Sequence, residues 1–147
     1  MEDTPATRWQ AVEQRISAAA VAAGRNPLEI TTVVVTKFHP ASLVRELSEA
    51  GVTDVGENRH QEAVSKQEQL SDLALTWHFV GQLQSNKAKA VAEYCSVIHS
   101  IDRTSLLRAL AGSERTVDVF LEVNLTHDSG RGGVMPSELL RLAEETL

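Results

Sequence analysis

The stretch Thr31-Thr32-Val33-Val34-Val35-Thr36-Lys37-Phe38-His39-Pro40 carries an apolar, β-branched run that ends in an amine. Such a run reads as a strand buried on both faces, closed by Lys37 and the turn residue Pro40. An amine at the carboxyl end of a parallel strand stands where α/β barrels and open sheets build active and cofactor sites. The same position also suits a lysine that snorkels into solvent. Its company bears on the choice. Other predicted strand ends gather Glu57 and Asn58, Gln82 and Gln84, Ser100 and Asp102, and Asn124 and Thr126. A lysine beside a polar, partly desolvated mouth has its pKa lowered, and the neutral amine condenses with an aldehyde to a Schiff base.

Positioning these groups requires strands in alternation with helices. Thr4-Pro5 predicts a helix start, with Trp9, Val12, Ile16, Ala19 and Ala23 at helical spacing and Gly24 as the stop. After the Lys37 strand, Leu43, Val44, Leu47 and Ala50 form an apolar stripe ended by Gly51. A second strand around residues 52–55 breaks at Gly56-Glu57-Asn58 and leads to a polar helix reaching Leu70, with Asn58 and Gln61 placed as a capping box. The third strand, residues 75–80, carries Trp77 and Phe79 and breaks at Gly81; a helix with Ala88, Val91, Ala92 and Cys95 on one face follows. The fourth, residues 96–101, meets Asp102 as an N-cap before a stripe of Leu106, Leu107, Leu110 and Ala111. In the fifth, residues 117–125, Val119, Leu121 and Val123 alternate with Phe120, Glu122 and Asn124. The loop from His127 to Gly133 reads as mobile, with Arg131 a loose anion-binding candidate, and a last helix opens at Pro136.

Strict βα order predicts parallel pairing with right-handed crossovers, which suits a doubly wound sheet or a barrel. Glu144 and Glu145 stand near Leu147, where a helix end disfavours carboxylates. A full barrel takes about 250 residues. The expectation is therefore an α/β chain of the (β/α)8 TIM-type barrel, with about the first five βα units in one domain over residues 1–147, incomplete at its C-terminus.

Composition narrows the function classes. A 42% hydrophobic and 23% charged content over 147 residues is that of a globular domain, and a net charge of −6 without a basic cluster argues against nucleic acid. No apolar run reaches membrane-span length, so no membrane partner is expected, and the acidic start with a single cysteine, Cys95, points to the cytoplasm. Five histidines show no ligand spacing, so no metal is expected; His78 and His99 read as local hydrogen-bonding groups, and Trp77 and Phe79 as core.

Taken together, Thr36-Lys37-Phe38-His39-Pro40, Gly56-Glu57-Asn58 with Gln61-Glu62, the block from Trp77 to Lys87, His99-Ser100-Ile101-Asp102 and Glu122-Val123-Asn124 resemble, in this order, the pyridoxal-phosphate homeostasis proteins. The resemblance runs from Trp9 to the last residue, and the Trp77–Lys87 block is its most specific part. It implies a fold similar to the N-terminal barrel domain of alanine racemase, with pyridoxal 5′-phosphate (PLP) as an internal aldimine on Lys37. Asn58 would lie beside the cofactor ring, Val80, Gly81 and Ser100 would line the pocket, and Asn124 is a further candidate.

By the same resemblance the function is to carry or regulate vitamin B6 and the amino- and keto-acid balance, with no catalytic residues and no established turnover. PLP-dependent apoenzymes are the implied partners of a monomer or weak dimer. The alternatives are a PLP-dependent racemase-like enzyme, or a chain that binds no cofactor because the family's phosphate-binding segments and the arginine facing the pyridine nitrogen lie beyond its end. Arg59-His60 and the glycine-rich Ser129–Gly133 loop depart from the family pattern.

Overall fold

A computed structural model describes residues 2–147. Thr4 and Pro5 start the chain as their types predict. Thr4 Oγ1 accepts the Thr7 N–H at 3.2 Å, Thr7 Oγ1 accepts the Thr4 N–H at 3.0 Å, and Pro5 opens α1, Pro5–Ala22. Gly24, at φ +70°, then reverses the chain. The remaining elements are β1 Val34–Val35, α2 Ala41–Glu49, β2 Asp54–Glu57, α3 His60–Gln69, β3 Thr76–Phe79, α4 Ser85–Ala92, β4 Val97–Ile101, α5 Thr104–Ala111, β5 Asp118–Leu121 and α6 Leu139–Glu144.

The strands form one parallel sheet in the order β1-β2-β3-β4-β5. A doubly wound sheet reverses its strand order at a switch point, whereas a barrel adds each strand beside the last. The sequential order is therefore that of five consecutive βα units of a barrel. Val55, Trp77, Phe79 and Ile98 face the helices and pack with Val44, Leu47, Ala88, Val91, Cys95 and Leu106 into one core. The opposite face carries Val35, Gly56, His78 and Phe120, and it is open: Val35 is 47% and Phe120 59% exposed.

Two expectations are corrected. The Lys37 strand is not buried on both faces: it is a short edge strand, Val34–Val35, and Val35 lies on the open face of the sheet, 47% exposed. Asn58 and Asp102 are not helix caps. The chain takes one more extended residue before each helix, so Arg59 and Arg103 occupy the N-cap positions, and neither makes a side-chain cap bond.

Candidate functional site

Register places the candidate residues. Val35 pairs with Gly56, so Lys37 and Asn58 each stand two residues beyond one paired row; Glu57 pairs with Phe79, so Asn58 and Val80 stand one residue beyond another. Lys37, Asn58 and Val80 thus occupy neighbouring positions at the carboxyl ends of β1, β2 and β3. Backbone bonds continue the ladder there, with the Thr36 N–H donating to Gly56 O and the Val80 N–H to Glu57 O, both at 2.9 Å.

The Lys37 side chain is exposed, and its Nζ lies 5.9 Å from the centre of the Phe38 ring, which Arg59 approaches at 5.1 Å. Gly81 packs directly on Asn58: a Cβ there would stand 2.5 Å from Asn58 Oδ1, so any larger residue would displace the amide. Val80 contributes a methyl to the open face, 3.4 Å from where a Cβ on Gly56 would sit. A cleft of about 430 Å3 opens beside Asn58, bounded by Arg59, His60, Gln82 and Lys87.

Ser100 and Asn124 are placed differently. Ser100 is 4% exposed and its Oγ has no hydrogen-bond partner, an uncompensated polar group of the kind usually kept for a purpose. Asn124 spends its amide on its own turn, donating to Asp128 O at 2.9 Å and accepting from Thr126 N–H at 2.9 Å and Thr126 Oγ1 at 2.7 Å. The following loop is tied down. The Gly133 N–H donates to Asp102 Oδ2 at 3.1 Å, and a Cβ on Gly132 would stand 2.5 Å from Gln82 Nε2. Burial first, and the Asp102 carboxylate second, push the Glu122 carboxyl above its ordinary value, while Arg103 pairs with Asp102 at 2.7 Å at the same β4–β5 end of the mouth.

Beneath the Lys37 turn lies a group that the strand-end reasoning did not include. Lys66, on the inward stripe of α3, reaches Glu57 Oε1 at 2.7 Å and Glu62 Oε1 at 2.9 Å; Glu57 also accepts from Thr36 Oγ1 at 2.7 Å. On the open face, His78 bridges Asp54 and His99, each contact 2.9 Å, and His99 stacks on Phe120 with ring centres 4.9 Å apart. These bonds bear out the reading of both histidines as locally satisfied. Among the described residues no cluster of three or more His, Cys, Asp or Glu could hold a metal ion, and no helix is long and apolar enough to cross a membrane.

Residues 9–147 match the family described as alanine racemase, N-terminal domain. The chain belongs to that family. Within it, the chain is 42% identical over 137 residues to the pyridoxal phosphate homeostasis protein of Pseudomonas aeruginosa, a match covering 90% of this chain and 60% of that protein. Among solved structures, PipY of Synechococcus elongatus with PLP bound aligns at a TM-score of 0.71 and 37% identity, covering 88% of this chain and 64% of the other. An unknown protein from Bifidobacterium adolescentis aligns at 0.83 and 28% identity, covering 99% of this chain and 66% of that one. The chain spans about 60% of the length of the curated relatives it matches. The family resemblance drawn from the motifs is thereby borne out, as is the alanine-racemase-type barrel fold.

Proposed function

We propose that this chain binds PLP covalently through Lys37 and serves intracellular vitamin B6 and amino/keto-acid homeostasis as a carrier without turnover. The observation that carries the reading is the position of Lys37: an exposed amine at the carboxyl end of β1, in register with Asn58 and Val80 and held in a fixed turn. The relatives' names and the PLP-bound PipY structure supply the ligand.

The residues present fit part of this cofactor. An accessible amine suits its aldehyde, Asn58 beside Gly81 offers an amide to the ring, and Ser100 Oγ is a buried hydroxyl without a partner. A phosphate dianion would need cationic partners, and the arginines at the mouth include Arg59 beside the Lys37 turn and Arg103, which is already paired with Asp102. PLP would supply an aldehyde, for which Lys37 Nζ would be the amine that holds it; Asn58 and Val80 would line the β2–β3 side, and the open face of the sheet would exclude little water. Asn124, committed to its own turn, acts through the loop it holds. PLP-dependent apoenzymes in the cytoplasm are the partners a carrier of this kind implies.

The test is incubation with PLP, borohydride reduction and peptide mass spectrometry. A single adduct at Lys37 is expected; its absence rejects the proposal. Exchange of the α-hydrogen of alanine, lost in Lys37→Ala, would replace the carrier reading with an enzyme.

A further inference from the structure

The backbone on both sides of Lys37 is held by one pair of side chains, the buried Lys66 and the partly exposed Glu62. Lys66 Nζ donates to the carbonyl of Thr36 at 2.7 Å, to Glu57 Oε1 at 2.7 Å and to Glu62 Oε1 at 2.9 Å. Those three bonds use every N–H of an ammonium, and with its side chain 6% exposed Lys66 is closed to an incoming aldehyde. Glu62 Oε1 also accepts the Phe38 N–H at 2.6 Å. The carbonyl before Lys37 and the amide after it are therefore fastened to the same ion pair. Phe38 itself has φ +65°, a left-handed conformation that a bulky residue adopts only when its surroundings impose it. The residue is 66% exposed, so packing does not impose it; two bonds hold it there, the His39 N–H to Thr36 O at 3.1 Å, which closes a turn with Phe38 at its third position, and the Phe38 N–H to Glu62.

We propose that Glu62 and Lys66, backed by Glu57, are positioning residues that fix the Lys37 turn and leave Lys37 as the one lysine there open to an aldehyde. The inference rests on the reading of Lys37 as the attachment residue, but its geometry can be tested without cofactor. Because the Glu62 side chain is partly exposed, at 24%, substitution there is compatible with folding, which a thermal melt would confirm.

The comparison is between Glu62→Ala, which removes the acceptor, and Glu62→Gln, which keeps an amide oxygen for the Phe38 N–H. Two quantities are read: amide hydrogen exchange at Phe38 by NMR on the unloaded chain, and the rate of borohydride-trapped adduct formation at Lys37. Glu62→Ala is expected to lower Phe38 protection about tenfold and to slow trapping at least about tenfold, since small misplacements of a reacting group carry such penalties. Glu62→Gln should restore most of both. Protection or trapping unchanged in Glu62→Ala would overturn the inference, as would a wild-type adduct on Lys66 comparable to that on Lys37. If the wild type forms no adduct anywhere, the cofactor reading fails instead, and Phe38 exchange alone decides whether the clamp exists.

Discussion

His78 Nδ1 and His99 Nε2 stand 2.9 Å apart and share a single hydrogen bond on the open face of the sheet. His78 Nε2 also meets Asp54 Oδ1 at 2.9 Å, so His78 links the Asp54 carboxylate to His99. Burial, and then the neighbouring His78, lower the pKa of His99 below 6.5. The unfolded chain consequently takes up a proton before the folded chain does as pH falls. This group's contribution to stability is complete above 6.5 and is lost as pH drops through the folded value. Urea melts at pH 7.5 and 5.5, in buffers chosen to bracket roughly this range, should show a larger stability loss in the wild type than in His99→Gln. Equal losses would mean that His99 does not titrate differently on folding.

Lys37 is exposed, with its Nζ 5.9 Å from the centre of the Phe38 ring. Lys37→Ala should therefore change stability by no more than about 0.5 kcal/mol, while abolishing the borohydride-trapped adduct. A melt and a trapping assay on the same preparation separate loss of the reactive group from loss of the fold.

Gly81 meets Asn58 so closely that even a methyl has no room. Gly81→Ala must push Asn58 and the start of the β2–α3 connection aside, at a cost of about 1–3 kcal/mol for overpacking. Displacement of the amide predicts weaker PLP retention as well. Thermal unfolding reads the first effect, and absorbance of retained cofactor after gel filtration reads the second.

The sequence made the βα order, the core stripes and the strand-end position of Lys37 legible, because each depends on local periodicity and turn chemistry. It could not show that the strand before Lys37 would be an edge. Thr31 to Val35 has the composition of a central strand, and its edge position and the uncovered face that carries Val35 are set by the sheet as a whole. The caps failed for a related reason: Asn58 and Asp102 have the right side chains, but a one-residue shift in where each helix begins removes the bond. Lys66 was the recoverable omission. Ala63, Lys66 and Leu70 are spaced as one buried stripe, and all three are buried. A lysine on such a stripe, four residues after Glu62 and shortly after a strand ending in Glu57, signals a buried ion pair.

That pair supports the last prediction. Lys66 and Glu57 have side chains 6% and 0% exposed, and Glu57 Oε2 has no partner, so its charge depends on Lys66 and Thr36 alone. Lys66→Met would strand the carboxylate inside the core, which costs about 3–5 kcal/mol when a buried pair loses one member. Glu57→Leu would strand the ammonium less completely, because Glu62 and the Thr36 carbonyl still hold it. Removing both charges relieves both penalties, so the double variant should be less destabilised than the sum of the singles, with a coupling of about 1–3 kcal/mol. Denaturant melts of the four proteins measure that cycle. Additive losses would show that the two side chains contribute through packing alone and would remove the electrostatic basis for the clamp under Lys37.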